Sequence, residues 1–76
     1  MILDARGLRC PMPVIRLAAL AREAAPGDEI EVRWTDPAAA HDIPAWARMR
    51  GHEVLGTHEL DEGWATTVRI GERDAP

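Results

Sequence analysis

The chain has 76 residues, 46% of them hydrophobic and 29% charged, and a formal net charge of −4. That length is one small domain, 1–76, and the negative balance argues against nucleic-acid binding, which needs clustered positive charge to displace the counterions of phosphates. A single cysteine, Cys10, rules out an internal disulfide, so the core is expected to come from apolar packing alone.

The N-terminal run Met1-Ile2-Leu3 passes at once into Asp4 and Arg6, unlike a secretion leader. No apolar stretch approaches the roughly 20 residues that span a bilayer. With one unpaired cysteine, these features predict a reducing cytoplasm and no membrane contact. All nine basic residues are Arg, and Lys, Phe and Tyr are absent.

In chain order, Ile2 to Ala5 reads as a short strand, and Gly7 allows a turn after it. Pro11 to Ala25 reads as a helix. Val14, Leu17, Ala18 and Ala21 follow the i, i+3, i+4, i+7 spacing of a buried stripe, and proline is tolerated in a first helical turn. Pro26-Gly27-Asp28 stops it. Glu29 to Thr35 alternates, with Ile30, Val32 and Trp34 on one side, as a half-buried strand does. A second helix is predicted from Asp42, acting as its cap, to Arg50, with Pro44 in the first turn and Gly51 ending it. His52 to Leu60 and Trp64 to Ile70 read as strands joined by the hairpin loop Asp61-Glu62-Gly63. The last strand places Trp64, Thr66, Val68 and Ile70 on one mostly apolar face. Trp34, Trp46 and Trp64 are all read as core residues rather than a binding cluster.

The order β-α-β-α-β-β places two helices on one face of a mixed four-stranded sheet, an α+β arrangement of two layers. The first β-α-β step is expected to be a right-handed crossover between parallel strands.

Cys10 falls where the first loop meets the first helix, and it is expected at the N-cap. A helix start carries partial positive charge and free N–H groups, which favour a thiolate and lower the thiol pKa; Arg6 and Arg9 would add to this. Pro11 and Pro13 remove two donors and fix two φ angles, leaving Met12 and Val14 N–H groups to serve the sulfur. The alternative is a buried, inert cysteine, the commoner state of a lone one. One cysteine has no C-x-x-C partner, and no glycine-rich phosphate loop is present. His41, His52 and His58 are not spaced as a metal cluster, so neither a metal nor an organic cofactor is expected. His41 remains a candidate to approach Cys10 as a dyad. A lone thiolate without a base suits transfer of a soft atom between thiols rather than hydrolysis.

At these residues the sequence resembles the TusA/SirA-type sulfur-carrier family over nearly its whole length, Leu3 to Ile70. One matching block is Cys10-Pro11-Met12-Pro13, preceded by Asp4 and Gly7-Leu8. The other is Thr35-Asp36-Pro37, followed by Asp42-Ile43-Pro44 and Gly51-His52-Glu53. The resemblance implies a two-layer sandwich similar to the C-terminal domain of a bacterial translation initiation factor. It implies a sulfurtransferase that acts as a persulfide relay. Cys10 would accept sulfane sulfur from a cysteine desulfurase or a rhodanese and pass it to an acceptor such as a DsrE/TusD-type relay protein. The route would lead to tRNA thiolation, molybdenum-cofactor assembly or sulfur oxidation. Pro11 and Pro13 would shape the turn, and Arg9, Met12 and Asp36 would contact partners. A monomer is expected. One departure is the lack of lysine: Arg16 and Arg22 stand where relatives place Lys near the first helix, which changes donor geometry but keeps the charge. A non-catalytic docking module is the alternative class, and nucleic-acid binding is disfavoured by the charge.

Overall fold

The computed structural model describes residues 1–72. Its elements are β1 (Ile2–Asp4), α1 (Met12–Glu23), β2 (Glu29–Trp34), α2 (Ala39–Arg50), β3 (Glu53–Glu59) and β4 (Trp64–Arg69). They form one four-stranded sheet in the order β1-β2-β4-β3, with β1 parallel to β2 and the other pairs antiparallel. This is the predicted α+β order with the predicted parallel first pair. No helix among the described residues is long and apolar enough to cross a membrane.

The core lies between the helices and the alternating face of the central strands. Leu17 and Ala21 of α1 and Ile43, Trp46 and Ala47 of α2 pack with Ile30, Val32 and Trp34 of β2 and with Val68 and Ile70. Each fully buried aliphatic side chain of this kind contributes about 1.5–3 kcal/mol relative to exposure. Pro13 is also buried, so the second proline of the first turn points into the core. On the opposite face the sheet is wet. Arg33 bonds Glu31 at 2.8 Å and Arg69 bonds Glu53 at 2.7 Å.

Two helix boundaries differ from the sequence reading. The first helix begins at Met12 and ends at Glu23, because Ala24 is already extended (φ −88°, ψ 157°) ahead of the Pro26-Gly27 turn. The second begins at Ala39, three residues earlier than predicted, and Asp42 is therefore in its first turn and is not its cap. The cause is Asp36. Its Oδ1 accepts the Ala38 N–H at 3.1 Å and its carbonyl accepts the Ala39 N–H at 2.9 Å, which starts the helix before Asp42 is reached. Pro44 then sits inside α2, where it withholds the N–H that would otherwise reach the Ala40 carbonyl. At the far end Gly51 adopts φ 79° and closes the helix through bonds from its own N–H and that of His52, as the sequence predicts.

Two of the three tryptophans are core residues, Trp34 and Trp46. Trp64 corrects the reading: it is 40% exposed. As the first residue of β4, at the end of the sheet, it covers one ring face by stacking on Trp34 at 6.1 Å and leaves the rest to solvent. Thr66 is the buried polar residue of the same face. Its Oγ1 accepts the Trp34 Nε1–H at 2.9 Å and lies 2.9 Å from Thr57 Oγ1. On β3 the pairing shifts between Val54 and Gly56, which places a bulge in that edge strand.

Candidate functional site

Cys10 lies in the loop between β1 and α1, and backbone bonds fix that loop. Gly7, at φ +85°, donates its N–H to Thr35 Oγ1 at 2.9 Å. Such a φ suits glycine, because a side chain there would crowd the carbonyl. The Leu8 N–H reaches Ala5 O at 3.2 Å, and the Met12 N–H reaches Arg9 O at 2.8 Å. The Cys10 N–H donates to Asp36 Oδ2 at 2.8 Å. The Cys10–Pro11 peptide is cis. Thr35 and Asp36 therefore hold the cysteine loop from the end of β2, while the other Asp36 oxygen starts α2. The shallow cleft between these loops, about 310 Å³, is lined by Gly7, Leu8, Arg9, Thr35, Asp36 and Pro37.

The cysteine is not the helix cap. Pro11 occupies that position without any side-chain cap bond, and Cys10 stands one residue further out, in the turn that the Met12 N–H closes. The Met12 donor expected to serve the sulfur is thus committed to the Arg9 carbonyl. Arg6 is committed too, gripping Asp4 through Nε and Nη2 at 2.9 Å each, which holds the Asp4 carboxyl at about 2. The Cys10 and Ala38 N–H bonds, with a smaller contribution from the charge of Arg9, keep the Asp36 carboxyl below its usual range.

The expected depression of the thiol pKa is reversed. The thiol is pushed up from 9.0 to about 11. Partial burial comes first, since it penalises the charged form; then come a side-chain hydrogen bond with Asp42 and the negative charges of Asp42 and Asp36. Cys10 is half-buried at the margin of the core, neither sealed nor protruding. His41, the residue before Asp42, is exposed.

The other sequence candidates surround this thiol. Pro11, Arg9 and Met12 are exposed around it, and Pro13 anchors the turn from below. Asp36 is a structural anchor of the loop as well as part of the cleft. Two participants escaped the sequence reading. Ile15 is 50% exposed one turn beyond Met12, itself exposed, so two large apolar side chains of the first turns of α1 meet solvent. Asp42 was legible as an acidic residue before an apolar run, which is also the pattern of a helix cap; its negative charge is among the causes that raise the Cys10 thiol. At the opposite end, a groove of about 280 Å³ between the final turns of the helices is lined by Ala18, Ala21, Arg22, Trp46, Met49, Arg50 and His52. The helices thus run side by side in one direction, and both begin at the Cys10 end.

Fold and site together define a small α+β protein that presents one thiol from a braced loop. Residues 1–70 match the family model described as "Sulfurtransferase TusA". The chain is 47% identical over 57 residues to "Sulfur carrier protein TusA" of Pseudomonas entomophila, covering 75% of this chain and 71% of that one. It is 40% identical over 61 residues to "Putative sulfur carrier protein YrkF" of Bacillus subtilis, covering 80% of this chain and 33% of that longer relative. The crystal structure of a SirA-like protein from Desulfitobacterium hafniense superposes with a TM-score of 0.81 at 29% identity, covering 95% of this chain and all of that one. The chain belongs to the TusA family of sulfur carriers.

Proposed function

We propose that the chain, as a single TusA-like domain, accepts sulfane sulfur on Cys10 as a persulfide and hands it to an acceptor protein in the cytoplasm. The observation that supports this reading is the single thiol, half-exposed on a loop braced by Thr35 and Asp36, in a chain of a sulfur-carrier family. Loading begins with attack of the Cys10 sulfur on the outer sulfur of a donor persulfide, on a cysteine desulfurase or a rhodanese. The donor S–S bond breaks, its electron pair stays on the donor cysteine, and the Cys10 proton ends there. Delivery repeats the step with an acceptor thiolate as the nucleophile, on a relay protein of the DsrE/TusD kind, toward tRNA thiolation, molybdenum-cofactor assembly or sulfur oxidation.

The residues around Cys10 divide the work. Pro11 and Pro13 shape the turn, the latter from the core. Arg9 and Met12, exposed beside the thiol, meet partners, and Asp36 borders the same cleft while holding the loop. Incubation with cysteine and a desulfurase, or with thiosulfate and a rhodanese, adds one sulfur atom, about 32 Da, to the wild type and none to Cys10→Ser. A wild-type mass unchanged by both donors overturns the reading.

A further inference from the structure

The far end of the helix layer carries a groove that sulfur transfer at Cys10 does not use. The last turns of α1 and α2 border it, with a volume of about 280 Å³. Ala18, Trp46 and Met49 supply its apolar wall, and Arg22 and Arg50 supply one cation from each helix. The wall is braced. The His52 ring lies 4.9 Å from a ring of Trp46, and its Nδ1 accepts the Gly71 N–H at 3.0 Å. Met49 is 74% exposed, and an unbranched thioether adapts to whatever packs on it. Among the described residues, no ion pair engages Arg22 or Arg50, and no residue that lines the groove is acidic. The groove is thus a local reversal of sign in a chain of net charge −4.

We propose that this groove docks an acidic segment of a partner protein, one that sets a large apolar side chain between carboxylates. The apolar side chain packs on Met49 and Trp46. The carboxylates pair with Arg22 and Arg50, whose planar forks suit them. The charge match depends on these two residues. Helix C-termini carry partial negative charge, so without the arginines both ends would repel an acid. The same arginines turn a basic segment away. The groove also lies at the opposite end from Cys10, because α1 alone, with 12 residues, sets about 18 Å between its ends. A protein seated there leaves the thiol open, so the carrier can be held by one protein while Cys10 meets another. That use rests on the carrier reading; the docking itself does not.

The test is fluorescence anisotropy of a labelled peptide with two glutamates on each side of a Leu-Leu pair, titrated with the full chain. Binding is expected, and it should weaken as salt rises, because the ion pairs form at the surface. Arg22→Gln, Arg50→Gln and Met49→Ser should each raise Kd about twofold to fivefold, and the two arginine changes together about tenfold. Circular dichroism confirms that each variant is folded. Arg16→Gln, on an exposed part of α1 outside the groove, should leave Kd unchanged. Amide shifts in nitrogen–proton correlation spectra should cluster at Arg22, Met49 and Arg50 and spare the cysteine loop. Saturating peptide should not slow alkylation of Cys10 by iodoacetamide. Three results would each overturn the inference: no binding at millimolar peptide, equal binding when lysines replace the glutamates, or a Kd indifferent to both arginine changes. Self-association of the chain that the arginine changes abolish would overturn it as well, by placing a second copy in the groove. None of these measurements needs sulfur, so a chain that refuses loading yet binds the peptide sinks the carrier reading alone.

Discussion

Replacing Thr66 with valine keeps the shape of the side chain and removes one oxygen. In the wild type that oxygen accepts the Trp34 indole N–H at 2.9 Å and meets the Thr57 hydroxyl at 2.9 Å, with Thr66 2% and Trp34 4% exposed. Valine leaves the indole N–H buried without an acceptor, at a cost of about 1–3 kcal/mol. In a domain of this size each kcal/mol moves the midpoint by about 4–8 °C, so a loss of about 2 kcal/mol lowers Tm by roughly 8–16 °C. Thr57→Val should cost much less, because residue 57 is exposed and water can replace its hydroxyl. The double variant should lose less than the sum of the singles, since the second change removes a partner already gone. Thermal unfolding followed by circular dichroism measures all three. A Thr66→Val midpoint within about 2 °C of wild type would refute the claim that this hydroxyl satisfies the tryptophan.

The raised Cys10 thiol also makes stability depend on pH. The folded state holds the proton more tightly, so this contribution is intact below about 9 and is lost as the pH climbs toward about 11. No lysine or tyrosine titrates in that window, so urea unfolding between pH 8.5 and 11 should show a decline that Cys10→Ser flattens. An equal slope in the variant would assign the decline elsewhere. Gly63→Ala should lower the urea midpoint more than Gly27→Ala. Both positions have positive φ, which costs a side chain about 1–2 kcal/mol, but only the Gly63 Cβ meets other atoms, 2.5 Å from Trp34 O and 2.8 Å from Thr35 Cγ2. Equal losses would mean that the close approach is relieved freely.

The sheet and helices were legible because their signals are local and redundant. Ile30, Val32 and Trp34 alternate, Leu17 and Ala21 recur at helical spacing, and Gly51 and Gly63 fall where positive φ is needed. The family was legible in two short blocks around Cys10 and Asp36. The reactivity of the thiol was not. Its expected acidity assumed that helix N–H groups and arginines near in sequence would act on the sulfur. The fold instead spends the Met12 N–H on Arg9 and Arg6 on Asp4, half-buries the thiol, and sets the negative charges of Asp42 and Asp36 against it. Asp36, expected to contact partners, took the helix-starting role expected of Asp42, for a related reason. Either could start a helix, and the choice depended on which carboxylate the chain placed at the Ala38 N–H. Trp64 shows the limit of alternation, which assigns a side of the sheet but not whether a helix extends far enough to cover it.

The bulge in β3 bears on how the protein behaves when crowded. That strand spans Glu53–Glu59, borders the sheet, and is mostly exposed. A straight border of that length, with its peptide groups unpaired, is a template on which a second copy can zip up. The irregularity between Val54 and Gly56 breaks the repeat of donors and acceptors, and acidic side chains close both ends. Stacking neighbours edge to edge would bury those charges and meet a ladder out of step, which disfavours pairing along this edge.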